Sequence, residues 1–359
     1  MKLVVDNIIY SLQKWGGISV YWSELLKRMD QLEQDDSCSY LEVKKKTITS
    51  FLPLKLSKDI NLIKSKNLFF PIERYKCPFP IFDSKHIFHS SYYRVSKNPL
   101  SKNITTVHDF TYESHFRGLK KWIHMYQKSR ALKKSNGIIC ISKYTRDLMF
   151  ELYPFTKVKN VEVIYNGISD NFISEVKTNF DIPYNKNKYI LFIGDRKSAY
   201  KNFKLSCEVV KKVNMPLVIV GGGEITSSDI EFLNGIKFSA FNFLEEKQLK
   251  EVYRNAFCLL YPTESEGFGI PILEAQISRC PVVTSNKTCI PEISGGYAEM
   301  ISELNVYNLS KAINKLEDIE YRKFQTDNGR DNALNFHWQT TFEKTLLFYK
   351  KILKLESIN

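Results

Sequence analysis

Short apolar runs rich in β-branched and aromatic residues recur along the whole chain, and each has the length of a buried strand. In the first half they read LVV, HIFH, NITTVH, GIICIS and VEVIYNG, and in the second half YILFIG, PLVIVGGG, IKFSAF, AFCLLYP and CPVVTS. Stretches with a helical spacing of apolar residues, such as 19–30 and 143–152, separate them. Strands that alternate with helices predict parallel sheets. Because the scheme occurs twice, we expect an α/β fold with two doubly wound domains.

The length of 359 residues also favours two domains, since a single hydrophobic core stops growing at about 250–300 residues. The polar stretch 170–188 is the best linker candidate. We therefore predict a first domain over 1–170, a second domain over 171–335, and a C-terminal helix over 336–359 that packs back towards the first domain. Ligands are expected where the carboxyl ends of the strands face a cleft between the domains.

Cysteine usage and charge narrow the class of protein. The seven cysteines are scattered without C-x2-C spacing, which indicates a reducing compartment, and no apolar run approaches the length of a membrane span. These features predict a cytoplasmic protein. Of the net charge of +13, nearly all lies in residues 1–170, with 28 basic and 16 acidic side chains against 24 and 23 in the remainder. This asymmetry indicates a basic face for phosphates, unless the lysines are simply solvated.

The stretch TESEGFGIPILEA, residues 263–275, places two glutamates eight positions apart around a glycine-aromatic-glycine turn. Gly267 and Gly269 let the backbone approach a ligand closely. A helix that begins just beyond a strand attracts anions to its unpaired amides. We expect Glu274 in the first helical turn and Glu266 in the preceding loop, with both facing the cleft. Carboxylates beside a phosphate site indicate ribose and sugar hydroxyls as their partners.

These residues resemble the E-x7-E signature of the family 4 retaining nucleotide-sugar glycosyltransferases, which have the GT-B architecture of two facing Rossmann-like domains. WGGISVYWSELLKRM is similar to the family's N-terminal glycine loop, TVHDFTYE to its His-Asp loop, and ISKYTRDL and VIYNGISDNF to the run into the linker. FIGDRKSAYKN resembles its Arg/Lys donor loop, and CPVVTSNKTCIPEISGG the segment beyond the glutamates. The resemblance covers most of the chain. It implies retaining hexosyl transfer from a nucleotide sugar, of the bacterial surface-polysaccharide type that builds O-antigen of lipopolysaccharide or capsule.

A departing nucleoside diphosphate carries new negative charge, which a metal or a set of cations and amides must neutralise. The sequence has no D-x-D motif, so we predict Arg196 and Lys201 as diphosphate ligands and expect no metal or other cofactor. Surface cations are the alternative reading, and Lys197 is near enough to substitute. The amides predicted to complete the diphosphate site are those of Gly16, Gly17, Gly267, Phe268, Gly269 and Ile270.

His108 and Asp109 follow the run ITTV, at the carboxyl end of a predicted strand where catalytic residues are expected. The resemblance places the matching histidine near the anomeric carbon of the donor sugar, although a lone histidine is often structural. His108, Asp109 and Glu266 are the predicted catalytic residues, while Glu274 and Gly222 are predicted to bind the nucleoside. Retention through a covalent glycosyl carboxylate and retention by front-face attack both remain open.

Two basic segments of the first half, 52–70 and 115–134, interleave apolar residues with lysines. Such segments lie on anionic membrane surfaces, or pack an apolar stripe on a sheet and leave the lysines solvated. We expect a glycan or lipid-linked acceptor and peripheral association with the inner face of the membrane. The rival classes are a nucleotide-sugar epimerase of related fold and a non-catalytic protein that binds sugar or nucleic acid. A nucleic-acid partner is not expected, because no recognised module is present.

Overall fold

The computed structural model describes residues 1–6, 8–12, 16–32, 37–42, 61–64, 74–79, 82–174 and 180–354. The chain divides into two compact units, the first formed by Met1–Asn166 with Trp338–Asn359 and the second by Gly167–His337. The boundaries expected from the sequence, at 170 and 335, differ from these by a few residues. The last helix belongs to the first unit.

The first unit holds a parallel sheet with seven strands among the described residues. They are β1 Lys2–Asp6, β2 Ser37–Glu42, β3 Asn61–Lys64, β4 His86–His89, β5 Ser101–Val107, β6 Gly137–Cys140 and β7 Asn160–Val163. Their order in the sheet is β3-β2-β1-β4-β5-β6-β7, and every pairing is parallel. Five strands coincide with the predicted apolar runs. The other two, β2 and β3, mix polar and apolar residues and give no such run.

The helices of the first unit come from both of its chain segments. They are α1 Ile8–Leu12, α2 Gly17–Met29, α3 Thr111–His115, α4 Leu119–Lys134, α5 Lys143–Leu152 and α14 Trp338–Lys354, with a 3-10 turn at Pro154–Val158. The Ser142 hydroxyl accepts the Thr145 amide at 3.0 Å and so fixes the start of α5. Tyr349 of α14 is hydrogen-bonded to His89 Nδ1 at 2.6 Å, which ties the last helix to β4. None of the described helices is long and apolar enough to cross a bilayer.

The described part of the second unit forms a parallel sheet with six strands. They are β8 Ile190–Ile193, β9 Leu217–Val220, β10 Phe238–Phe241, β11 Cys258–Tyr261, β12 Val282–Ser285 and β13 Glu299–Ile301. Their order is β10-β9-β8-β11-β12-β13, again with parallel pairing throughout. Both sheets therefore have the doubly wound order in which the strand sequence reverses beside the first strand. The short and partly exposed β13 gives no apolar run in the sequence.

Helices cover the second sheet on its two faces. They are α6 Asp170–Ile173, α7 Phe203–Val213, α8 Ser227–Leu233, α9 Glu246–Asn255, α10 Ile270–Ile277, α11 Ile290–Ser294, α12 Val306–Lys315 and α13 Ile319–Ala333, with a 3-10 turn at Ala199–Lys201. Ile190, Ile219 and Leu260 of the sheet pack with Val209 of α7 and Ile313 of α12 in one buried cluster. Burial on both faces explains why these strands read as continuous apolar runs.

Candidate active site

The strand order of the second sheet reverses between β8 and β11, which pair as neighbours. In open α/β sheets the ligand site lies beyond the carboxyl ends of the strands at such a point. Two hydrogen bonds join the loops that follow these strands: Glu264 N donates to Tyr200 O at 2.8 Å, and Asn202 Nδ2 donates to Pro262 O at 2.9 Å. The predicted Arg/Lys loop and the predicted glutamate turn are thus held side by side.

Lys201 and Glu266 form an ion pair at the centre of these loops. The Lys201 ammonium lies 2.5 Å from Glu266 Oε1 and donates to the Tyr261 hydroxyl at 2.7 Å. Their side chains are 13% and 14% exposed, so both remain accessible while water is largely excluded. The structure therefore brings together a predicted diphosphate cation and a predicted catalytic carboxylate that are 65 residues apart in the chain.

Glu266 is held by one of its two oxygens. Oε1 accepts from Lys201, from the Tyr261 hydroxyl at 2.7 Å and from the Thr263 hydroxyl at 2.8 Å. Tyr261 and Thr263 are buried at the end of β11 and just beyond it. Three donors on a single oxygen fix the orientation of this carboxylate.

The glycine turn and the helix after it position Glu274. Gly269 has a φ of +87° and caps the start of α10, a backbone conformation that glycine adopts without strain. Phe268 is buried, and Gly267 and Ile270 are partly exposed. Because α10 starts at Ile270, Glu274 lies in its second turn, and the prediction of the first turn was wrong by one turn.

The Glu274 carboxylate is partly enclosed and has one close partner. The Tyr253 hydroxyl, from α9, donates to Glu274 Oε2 at 2.9 Å. Burial raises the pKa of Glu274 to about 7, although the bond from Tyr253 works in the opposite direction. A carboxyl with a pKa near neutrality beside a helix start can exchange its proton as it gains hydroxyl partners from a ligand.

Arg196 is arranged differently from the prediction. Its guanidinium bonds the carboxylate of Asp229 at 3.2 Å and the carbonyls of Gly221, Gly223 and Glu224 at 2.5 to 2.9 Å. Its side chain is only 1% exposed. In this structure the guanidinium holds the loop after β9, so a direct diphosphate contact would require these bonds to break.

The glycines of the loop after β9 allow Arg196 to approach. Gly221, Gly222 and Gly223 have φ values of +85°, +78° and +77°. A Cβ atom on Gly222 would lie 2.9 Å from Arg196 Nη1 and 3.0 Å from the Gly194 carbonyl. Gly222, which the sequence suggests as a nucleoside contact, is thus required first by the packing of the arginine. A nucleoside contact for its backbone stays a prediction.

His108 and Asp109 lie directly after β5, as predicted for a strand end in the first unit. His108 is buried and packs edge-on against the Tyr21 ring, with the centroids 4.9 Å apart. Burial, assisted by the Lys128 charge, lowers the pKa of His108 to about 3, so the imidazole is neutral at physiological pH. Asp109 Oδ1 accepts the Thr111 amide at 3.1 Å and so shapes the start of α3.

The buried Lys128 is hydrogen-bonded to the backbone of the His-Asp loop. Lys128 Nζ donates to the Asp109 carbonyl at 2.8 Å and pairs with the Glu113 carboxylate at 2.8 Å. Its ammonium also lies 4.3 Å from the centroid of the Phe110 ring. Burial lowers the pKa of Lys128, and Glu113 and Asp109 oppose this. Lys128 therefore has a structural partner inside the fold and does not face solvent.

The N-terminal glycines precede a helix of the first unit, as expected. Gly16 caps α2, and its carbonyl accepts the Ser19 hydroxyl at 2.8 Å and the Val20 amide at 3.1 Å. A Cβ atom on Gly17 would meet nothing within 4 Å. The helix start is therefore open at Gly17, and the diphosphate contact of the two glycines stays a prediction.

Two Rossmann-like units with charged groups gathered at a switch point are typical of the GT-B class of glycosyltransferases. The family described as "Glycosyl transferases group 1" matches residues 176–332, and "Glycosyltransferase Family 4" matches residues 86–172. Together the two matches span well over half of the chain. The chain belongs to the family 4-type glycosyltransferases, and the epimerase and non-catalytic alternatives are not favoured.

Relatives across bacteria and archaea agree with this assignment. An uncharacterised glycosyltransferase of Methanocaldococcus jannaschii is 27% identical over 98% of this chain and 97% of its own. The O-antigen chain mannosyltransferase RfbU of Salmonella typhimurium is 25% identical over 62% and 63%. A Campylobacter jejuni N,N'-diacetylbacillosaminyl-diphospho-undecaprenol α-1,3-N-acetylgalactosaminyltransferase is 29% identical over 43% and 42%. The crystal structure of a glycosyltransferase from Rickettsia africae matches with a TM-score of 0.72 at 18% identity, covering 99% of each chain, which supports the fold.

Several partners in the site escape prediction from the sequence. Tyr253, Tyr261 and Thr263 bind the two glutamates, yet each sits in a stretch that reads simply as helix, strand or turn. For Asp229, the partner of Arg196, the sequence does offer a signal. Thr226 and Asp229 form a capping box at the start of α8, and its pattern is visible in the stretch TSSD. Burial raises the pKa of Asp229, but hydrogen bonds from Thr226 and Arg196 outweigh it and hold this pKa below its ordinary value.

Proposed function

We propose that this enzyme is a retaining, metal-independent hexosyltransferase that moves a sugar from a nucleotide-diphosphate sugar to an acceptor hydroxyl. A lipid-linked oligosaccharide in surface-polysaccharide synthesis is the proposed acceptor. The observation that carries the proposal is the cluster of Lys201 and Glu266 at the switch point of the second sheet, with an ion pair of 2.5 Å. It supplies a cation for a departing diphosphate beside a carboxylate for the sugar.

The proposed roles follow from the charge that develops during transfer. When the bond between the sugar and the diphosphate breaks, negative charge grows on the phosphate and positive charge on the anomeric carbon. Lys201 supplies an ammonium for the phosphate, together with the amides of the turn at 267–270. Glu266 binds sugar hydroxyls or stabilises the anomeric centre, and Glu274 accepts the ribose hydroxyls. Both retaining routes are compatible with one carboxylate at this position.

His108 is proposed to shape the sugar site without transferring a proton. Burial lowers the pKa of its imidazole to about 3, which is far from the value suited to a general acid at neutral pH. A neutral imidazole can still donate one hydrogen bond to a sugar or acceptor hydroxyl. Asp109, whose carboxylate bonds the Thr111 amide, is proposed to hold the loop in place.

An exposed apolar face on α4 supports a membrane-associated acceptor. Leu119, Trp122 and Tyr126 are 75%, 66% and 72% exposed. Lys120 and Lys133 on the same helix are also exposed. Aromatic and aliphatic side chains next to lysines suit the interface of an anionic bilayer. The names of the Salmonella and Campylobacter relatives, with O-antigen and diphospho-undecaprenol substrates, agree with this acceptor class.

Parts of the two predicted membrane segments do not support contact with a lipid surface. Lys128 belongs to 115–134, but it is buried against Glu113 and does not reach a lipid surface. The second predicted segment, 52–70, lies outside the described residues except for 61–64. The proposed membrane face is therefore limited to the exposed residues of α4.

The test of this function is a transfer assay that follows the configuration of the product. Purified enzyme is screened against GDP-, UDP- and dTDP-sugars by thermal shift, since a donor at a hundredfold excess over its Kd adds about 2.7 kcal/mol of stability. The best donor, radiolabelled, is then incubated with undecaprenyl-diphosphate-linked saccharides. We expect a labelled lipid-linked product with the donor's anomeric configuration, read by NMR. A label that stays on the nucleotide as an epimer, or a product with inverted configuration, contradicts the proposal.

A further inference from the structure

Each glutamate of the E-x7-E pair receives a hydrogen bond from its own buried tyrosine. The Tyr261 hydroxyl donates to Glu266 Oε1 at 2.7 Å, and the Tyr253 hydroxyl donates to Glu274 Oε2 at 2.9 Å. The two tyrosines come from different elements, since Tyr261 ends β11 and Tyr253 lies in α9. Their side chains are 2% and 0% exposed, so neither hydroxyl can turn to bulk water.

The position of Tyr261 makes it a bridge within the ion pair. Its hydroxyl accepts from the Lys201 ammonium at 2.7 Å while it donates to Glu266. Burial, followed by the charge of Glu266, raises the pKa of Tyr261 well above 10, so the hydroxyl keeps its proton. A buried hydroxyl that bridges two charges restrains both more strongly than a solvent bridge would.

We propose that Tyr261 and Tyr253 are positioning residues with separate tasks, Tyr261 orienting Glu266 for the chemical step and Tyr253 orienting Glu274 for donor binding. The proposal rests on the roles given above to the two glutamates. Neither tyrosine needs to touch the donor. Tyr253 acts through the carboxylate whose oxygen it holds, so its effect should disappear when that carboxylate is removed. Tyr261 also accepts from Lys201, so a smaller part of its effect should remain without Glu266.

The Tyr253 bond should also shift the pH range in which the donor binds. A hydroxyl that donates to a carboxylate stabilises the ionised form, and this bond lowers the pKa of Glu274 from an even higher value. Ribose hydroxyls donate to the ionised carboxylate, so donor affinity should rise as pH increases through the pKa of Glu274. Without the Tyr253 hydroxyl that rise should begin at higher pH. A residue that merely filled space would leave the midpoint unchanged.

The experiment compares three single tyrosine-to-phenylalanine variants. Tyr189→Phe is the matched control, because Tyr189 is equally buried but donates to the Val252 carbonyl at 2.6 Å and not to a glutamate. We expect Tyr261→Phe to lower kcat about 10- to 100-fold with little change in donor KM, as expected for a lost bond to a charged group. Tyr253→Phe should raise donor KM about tenfold at pH 7, with kcat nearly unchanged and with KM restored by pH 9.

Glutamine variants of the two glutamates, alone and combined with the phenylalanine changes, separate this inference from the proposed function. In a Glu266→Gln background Tyr261→Phe should cause a much smaller loss than in the wild type, and Tyr253→Phe should cause no further loss with Glu274→Gln. If both glutamine variants keep wild-type kinetics, the roles proposed for Glu266 and Glu274 fail, and with them the basis of this inference. If they lose activity while the phenylalanine variants match Tyr189→Phe, or if both phenylalanine variants change kcat and KM alike, the positioning roles are wrong.

If the Tyr261→Phe variant does not fold, a second variant tests the same role. Thr263→Val removes another donor from the same Glu266 oxygen, since the Thr263 hydroxyl lies 2.8 Å from Oε1. We expect it to lower kcat in the same direction as Tyr261→Phe. Unchanged kcat in this variant, with circular dichroism showing native fold, counts against the proposal.

Discussion

Replacement of Glu274 by glutamine tests how strongly the site opposes an ionised carboxylate. Burial raises the pKa of Glu274 from 4.5 to about 7 in the folded chain. Between these pH values the unfolded chain has released a proton that the folded chain still holds. The stability contributed by the protonated group is therefore fully present below pH 4.5 and is lost as pH rises to about 7.

The magnitude follows from the two pKa values. One pKa unit corresponds to 1.36 kcal/mol, so a rise from 4.5 to about 7 is worth about 3 kcal/mol. Glutamine cannot ionise and is nearly the same size, so the Glu274→Gln variant escapes this loss. We expect the free energy of unfolding of the variant, minus that of the wild type, to increase by about 3 kcal/mol between pH 4 and pH 8. Titrations common to both proteins cancel in this difference.

The assay is urea unfolding followed by tryptophan fluorescence at pH 4, 6 and 8. Glu303→Gln is the control, because its side chain is exposed in the same unit. The Glu274 difference should change between pH 4 and 7 and then level off, while the control difference changes much less. A Glu274→Gln variant whose relative stability is independent of pH, or falls as pH rises, would show that water still solvates this carboxyl and would refute the reasoning.

Three other predictions concern activity and membrane binding. Turnover should persist in EDTA, because we propose that Lys201 and backbone amides carry the leaving-group charge; loss on chelation with recovery in Mg²⁺ or Mn²⁺ contradicts this. Lys201→Ala should lower kcat about 100- to 1000-fold, the size of losing a preorganised charge stabiliser, and near-native turnover would remove Lys201 from the site. Serine at Leu119, Trp122 and Tyr126 should reduce flotation with anionic vesicles without changing donor affinity; equal flotation of variant and wild type would exclude this face.

The sequence predicts ten of the strands because a buried parallel strand has a local signature. HIFH and LVIV are continuous apolar runs, and they form β4 and β9 as the pattern indicates. The polar strand β2 and the partly exposed β13 lack that signature, since edge or mixed environments leave no continuous apolar run. Strand order is not local, and only the pairing in the two sheets reveals the switch points.

The candidate site also has a part that the sequence predicts and a part that it does not. The glutamate turn is recognisable because glycine, proline and carboxylates follow one another within 263–275. The arrangement of Arg196 cannot be recognised in the sequence, because the groups that bind its guanidinium come from the loop after β9 and from Asp229. Residue type alone cannot distinguish a buried arginine from one that faces a ligand.

The sequence by itself determines the two repeated α/β patterns, the glycine turns and the residue types that suit sugar and phosphate chemistry. These features depend on neighbours along the chain, where backbone preference and periodic burial act directly. Only the tertiary structure decides which charged side chains lie in the candidate site and which are buried as structural ion pairs. It pairs Lys201 with Glu266 and buries Lys128 against Glu113. The physical reason is that the cost of burying a charge depends on partners brought from distant positions by the packed sheet and helices.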